Sequence, residues 1–216
     1  MPTINVNRTG HIQGTSNASF STARTSDSGT VTDGPSGTQF VQFYVGRGIH
    51  RFSRVFLHFD TSSITGTLSA AHIDVDGGST SPDPNDTIII KSTAFGGDGG
   101  TALAASDMYS SLDYNTDYSS ELTTWSNDNN EYTLNADALA DIKNNDNFTV
   151  AIINHDADYS NTDTNSVDDV VINFDITITL DYTLSGYSNT VNGVASANIS
   201  KVKGVATANI EKIIGT

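Results

Sequence analysis

The sequence predicts an all-β protein: an antiparallel two-sheet β-sandwich of jelly-roll form, with one or two short helices and a small β-rich repeat tail. Three observations predict it. Apolar and polar residues alternate at period two in several runs, as in strands with one buried and one wet face. Clusters of Gly, Pro, Asn, Asp and Ser separate those runs and mark turns. The weight of Ser, Thr, Asn, Asp and Gly also favours turns and strands over a helical bundle, which needs more Leu, Ala, Glu and Lys.

In chain order, residues 1–14 are polar and β-like. Val41, Phe43 and Val45 alternate with Gln42 and Tyr44; after the Gly46-Arg47-Gly48 break, Val55, Leu57 and Phe59 alternate with Arg54, Phe56 and His58. These read as two neighbouring strands, with His58 on an apparent outward face. Ala71, Ile73 and Val75 form another strand, ending at Gly77-Gly78 and the dense turn signal from Ser81 to Asp86. Thr87 to Thr93 is a more continuous apolar strand, expected to be covered on both sides. Ala105 to Leu112 reads as a short helix capped by Ser106. Asn135 to Lys143 is the better helix, with Asn135 as N-cap and Asp137 in the first turn. Phe148 to Ile153 returns to strand, and His155 to Asp169 reads as a long acidic loop. The clearest alternation runs from Ile172 to Leu184, as one strand or as two joined across a bend.

Composition shifts after Gly186, dividing the chain into a sandwich (1–186) and a tail (187–216). Gly193-Val-Ala-Ser-Ala-Asn-Ile-Ser-Lys-Val recurs as Gly204-Val-Ala-Thr-Ala-Asn-Ile-Glu-Lys-Ile, a repeat of period 11. Two copies cannot build a core of their own, so the tail must pack on its own domain, on sister subunits or on a larger assembly. Val194, Ile199, Val202, Val205, Ile210 and Ile213 are the apolar positions expected to be buried in that assembly.

The 216 residues suffice for one domain with a core, and the absence of cysteine leaves its stability to packing. A net charge of −15 argues against nucleic acid or an anionic membrane as partner. No stretch approaches a membrane span, and no apolar signal segment is expected at the start.

No nucleophile elbow, phosphate loop or zinc-protease motif is present, and the expectation is a non-enzyme. His11, His50, His58, His72 and His155 are scattered; His58 and His72 are the pair that could be neighbours. Glutamate occurs only at positions 121, 131 and 211, which gives no support to a glycosidase carboxylate pair. No motif calls for a cofactor, but oxygen-rich loops suit calcium. The candidate ligands are Asp156, Asp158, Asp163 and Asp168, with Asp169, and a second group is Asp74 and Asp76 with Asp83 and Asp86. Tyr114, Tyr118, Trp125 and Tyr159 are candidates for stacking on a sugar face.

The run Arg54-Val-Phe-Leu-His-Phe-Asp-Thr-Ser-Ser-Ile64, then Ala70-Ala-His-Ile-Asp-Val75, resembles the opening of the carbohydrate-binding-module-like jelly-roll domains called DNRLRE domains. Trp125 leading to Tyr132-Thr-Leu-Asn-Ala-Asp-Ala-Leu139, and the closing Asp175-Ile-Thr-Ile-Thr-Leu-Asp-Tyr182, agree with it over residues 20–183. The resemblance implies a sandwich of cell-surface and virion proteins, with glycan binding possible and catalysis supplied elsewhere. The tail repeat looks like those of marine bacteriophage structural proteins. Together these imply a virion protein displayed on capsid, as a decoration or head fibre, or on tail. It would partner with other virion proteins, as a homo-oligomer for which a trimer is expected, at the virion surface and so extracellular once released. The alternative is a carbohydrate-binding module that recognises a host glycan.

Overall fold

The structure, a computed structural model, describes residues 2–34, 38–65, 68–80, 86–164, 167–173, 179–184, 201–202 and 205–206. The strands in chain order are β1 (Thr3–Asn5), β2 (Arg8–Gly14), β3 (Gly29–Asp33), β4 (Thr38–Gly46), β5 (Ile49–Asp60), β6 (Leu68–Thr80), β7 (Thr87–Ser92), β8 (Leu112–Asp117), β9 (Asn129–Thr133), β10 (Asn147–Asn154), β11 (Asp168–Asn173), β12 (Thr179–Leu184), β13 (Lys201–Val202) and β14 (Val205–Ala206). Helix α1 spans Phe20–Arg24 and α2 spans Ala136–Asn144. All the pairings are antiparallel, and the chain is an all-β sandwich with short helices.

The axis is β5. It follows β4 through Arg47 and Gly48, both at positive φ (52° and 74°), as in the tight two-residue turns that match strand twist. β2 lies along one edge of β5, while β4 and then β10 occupy the other. From β10 the sheet continues to β7 and β8.

Every residue of β5 from Phe52 to Phe59 is buried. Its odd side chains Val55, Leu57 and Phe59 meet Phe148, Val150 and Ile152 of β10, Ala71, Ile73 and Val75 of β6, Tyr132 of β9 and Ala138 and Ile142 of α2. That is the interior between the two sheets. Its even side chains Phe52 and Phe56 pack with Ile12, Phe43, Ile88, Ile90, Ala94, Phe95 and Met108 under a third layer. That layer consists of α1, short 3₁₀ turns at Ala94–Gly96 and Ala105–Met108, and a π-helical turn at His155–Tyr159. The outward face expected for His58, which Arg54 and Phe56 share, is therefore a second core, because loops that read as polar connections fold back over the sheet.

β6 joins the two sheets. Its first part lies between β9 and β12, and its last part pairs with β11, Ile172 standing opposite Gly77. The strand does not end at Gly77-Gly78 but turns a corner there. A Cβ on Gly77 would lie 1.9 Å from the Ser126 carbonyl oxygen and 3.0 Å from Trp125 Nε1, so only glycine lets that loop close onto the corner. The Ile172–Leu184 alternation resolves into β11 and β12, both docked on β6; residues 174–178 lie outside the described residues.

Asn135 caps α2 as expected, its Oδ1 accepting from the Asp137 and Ala138 amides at 3.1 Å each. The other expected helix shrinks to the Ala105–Met108 turn, because only Met108 is buried there and no apolar stripe supports further turns. Ser106 sits inside it, and the turn is held at its start by Asp107 accepting from the Ala104 amide at 3.0 Å.

Burial on both faces of β5 has a measurable consequence. Leu57→Ala and Phe56→Ala, facing opposite layers, should each lose about 3 kcal/mol or more in urea denaturation. A tolerant Phe56→Ala would contradict the second core.

Candidate functional site

Arg54 projects from the middle of β5 into the second core and is fully buried. Its Nε donates to Asp158 Oδ2 at 2.6 Å and its Nη2 to Oδ1 at 2.9 Å, a bidentate pair. Nη2 also donates to the Arg24 carbonyl at 2.7 Å, and Nη1 to the Met108 carbonyl. Asp158 is delivered by the π-helical turn, whose start is held by Asn154 Oδ1 accepting from the Ala157 amide at 2.6 Å. The Tyr114 hydroxyl donates to Asp158 Oδ1 at 2.8 Å, and Arg24 donates to the Asp158 carbonyl at 2.6 Å while lying 4.2 Å over the Tyr114 ring. Burial works to lower the Arg54 pKa, but the Asp158 charge and hydrogen bonds outweigh it and raise it further, so the guanidinium stays charged. Burial and the Asp158 charge likewise push the Tyr114 phenol up, against the opposing pull of Arg54 and Arg24. Donors and acceptors are consumed by one another here, so the knot serves to hold structure.

The candidate aromatic residues do not converge. Tyr118 is 1% exposed, lies in the core between the sheets and donates its hydroxyl to Asp141, which also accepts from Lys91 Nζ at 2.7 Å. Trp125 packs half-buried against that same core, over Gly77. Tyr114 and Tyr159 belong to the opposite core, Tyr114 under Arg24 and Tyr159 stacked on His155 with centroids 5.7 Å apart. The central sheet thus separates the four into two pairs.

The candidate acids also part company. Asp158 is taken by Arg54, and Asp163 meets His50 Nε2 at 3.1 Å. Asp168 begins β11, where the backbone alone is described, as for Asp169; Asp83 lies outside the described residues. Asp156 joins a different group, with Glu121 and His155, whose ligating atoms all lie within 4.8 Å of one another. Asp86, 7% exposed, lies beside them. Its pKa is raised by burial, by the Glu121 and Asp156 charges and by a side-chain hydrogen bond with Glu121, with His155 pulling the other way. A second group, His72, Asp74 and Glu131, lies across β6 and β9, with His72 Nε2 3.2 Å from Asp74. His58 and His72 are apart: His58 lies under Gly99 in the third layer, its Nδ1 2.7 Å from Thr149 Oγ1.

Sequence reading missed Glu121, Asp86 as its neighbour, and the Arg54 knot. For Arg54 a signal existed: a cation set directly against the apolar run Val55-Phe56-Leu57 requires a buried acid somewhere. A groove of about 400 Å³ runs past Ser120, Glu121 and Leu122 to Glu131 and Asn135. No helix among the described residues is long and apolar enough to cross a membrane. In comparisons with known proteins, no family model and no curated sequence matches the chain.

Two outcomes follow from these environments. Asp158→Asn, which strands the Arg54 charge, should cost about 3 to 5 kcal/mol in denaturant titration, and pairing Arg54→Met with Asp158→Leu should recover most of it. Burial holds His11 and His58 below their ordinary pKa; for His58, Asp60 and Asp98 oppose this and Arg8 adds to it. The unfolded chain then binds the proton first. The stability that both histidines contribute as neutral rings is complete above about pH 6.5 and declines as pH falls below it. His58→Gln should flatten the fall in melting temperature between about pH 6.5 and 5; an unchanged slope would contradict this.

Proposed function

We propose that this chain is a non-catalytic structural protein of a bacteriophage virion, its sandwich displayed on capsid or tail and its C-terminal repeats fastening it there. The observation that carries this reading is the placement of the repeat junction. β13 and β14 pair as a two-stranded hairpin of their own, Lys201 opposite Ala206 and Val202 opposite Val205, with Lys203-Gly204 between them. Val202 closes the first copy, and Val205 is the second residue of the next. Two-stranded hairpins are marginal by themselves and need a surface to cover them. A sister subunit is the natural cover, since repeated surfaces close by symmetry, and a trimer is the order we propose. Val194, Ile199, Ile210 and Ile213 lie outside the described residues and enter as part of the proposed assembly surface.

Resemblance of the repeat to phage structural proteins supports the virion setting, and self-repulsion at −15 favours subunits that stay dispersed until assembled. The second reading, host-glycan binding, draws on the groove beside Glu121 and Glu131, whose hydroxyls, amide and carboxylates are groups that hydrogen-bond sugars.

Deleting residues 187–216 should abolish incorporation into purified particles, scored by immunogold labelling, while the remaining sandwich keeps its melting transition. Particles that carry the truncated chain at the normal level would refute fastening by the tail. Glycan-array binding that survives the truncation would move the conclusion to the second reading.

A further inference from the structure

Three segments distant in sequence meet where β7 begins. Thr87 and Leu122 exchange backbone hydrogen bonds at 2.8 and 3.1 Å, and the His155 amide donates to the Asp86 carbonyl at 2.8 Å, joined by the Asn154 side chain at 3.2 Å. These bonds fix the backbone under four side chains. His155 Nδ1 stands 3.1 Å from Glu121 Oε1 and 3.1 Å from Asp156 Oδ1. Asp86, tied to His155 through its carbonyl, lies beside the three residues whose ligating atoms are within 4.8 Å of one another; its carboxyl meets Glu121, and its buried Oδ1 has no hydrogen-bond donor among the described residues.

A single imidazole Nδ1 carries at most one proton and cannot satisfy three carboxylates. Leaving a buried carboxylate oxygen unpaired is costly, and gathering like charges adds to that cost. A cation at the centre resolves both. Metal bonds of about 2.1 Å place neighbouring ligand atoms about 3.0 to 3.4 Å apart in octahedral or tetrahedral geometry, which brackets the two separations seen here. Glu121 is also one of only three glutamates in a chain that otherwise uses aspartate, and its longer reach is what spans from the Leu122 bridge to His155.

We propose that Asp86, Glu121, His155 and Asp156 bind one divalent cation, and that the imidazole selects Zn²⁺ or Mn²⁺ over Ca²⁺. Mixed nitrogen and carboxylate donors suit those ions, whereas calcium takes oxygen ligands throughout. The cation staples the start of β7, the Glu121 segment and the π-helical turn that delivers Asp158 to Arg54. The His72 group differs: Asp74 already accepts from Asn129 Nδ2 at 2.6 Å, and no oxygen there is buried without a partner. It serves as the control. The proposal stands apart from the virion reading.

The test is isothermal titration of the chelator-stripped full chain with Zn²⁺, Mn²⁺ and Ca²⁺ in turn, alongside thermal melts. One site per chain is expected for Zn²⁺ or Mn²⁺, at least tenfold tighter than for Ca²⁺, with a raised melting temperature. Asp86→Asn and Glu121→Gln should each weaken it tenfold or more, His155→Gln should erase the preference over Ca²⁺, and His72→Gln should change nothing. The proposal is overturned if none of the three ions binds saturably, if His72→Gln removes the site, or if Ca²⁺ binds as tightly as the other two. It is equally overturned if Asp86→Asn raises the metal-free melting temperature while leaving binding intact, since a shared proton would then be what satisfies Asp86.

Discussion

A fully buried guanidinium in the central strand sets the terms for one whole side of this molecule. Arg54 cannot be left without a counter-charge in that environment, so the chain must bring a carboxylate to it from more than a hundred residues away. The π-helical turn after β10 does so, and the remaining donors and acceptors of the pair are filled by Arg24, Met108 and Tyr114. Arg24 and Met108 come from different pieces of the third layer, and Tyr114 from the sheet-edge strand β8. The pair therefore specifies how otherwise polar segments, with little apolar surface between them, seat over Phe52, Phe56 and Phe95. Its contribution lies in choosing one arrangement of loops, a role that buried polar networks can fill even where an apolar substitute would be as stable.

How far the sequence could be read depended on whether a local pattern met a local cause. Period-two runs located β4, β5 and β6, because alternation is imposed by strand geometry itself; continuous apolar runs located β7 and β10, and Asn135 announced α2, because capping is settled within three residues. The third layer left no such trace. Phe95, Leu103 and Met108 are apolar residues spaced without period in Gly- and Ser-rich sequence, and only tertiary contact shows that they cover β5. The same blindness placed His58 on a wet face. Site residues were legible by type and not by grouping: Asp156 was named beside Asp158, Asp163 and Asp168, yet it stands with Glu121 and His155, and Asp86 and Glu121 are brought to it by the Thr87–Leu122 and His155–Asp86 backbone bonds. Nothing local encodes those. Tyr118 shows the converse, an aromatic in loop-like sequence that turns out to be core.

The domain thus has two unlike faces. On one, α2 and the β6–β9 ladder cover the inter-sheet core; on the other, a layer of short turns is pinned by Arg54. Among the described residues, the strands of the repeat junction pair with each other in a sheet of their own.

The position of β12 gives this arrangement a mechanical side. β12, the last described strand before the repeat junction, is clasped along one edge by β6 and along the other by β1, near the amino terminus, in antiparallel register. Ladder hydrogen bonds run across the strands, so a pull along β12 loads several of them together, in shear, where peeling would break them one by one. Because β6 continues around the Gly77 corner into the central sheet, tension entering at Leu184 would spread into both layers before any one strand could slip.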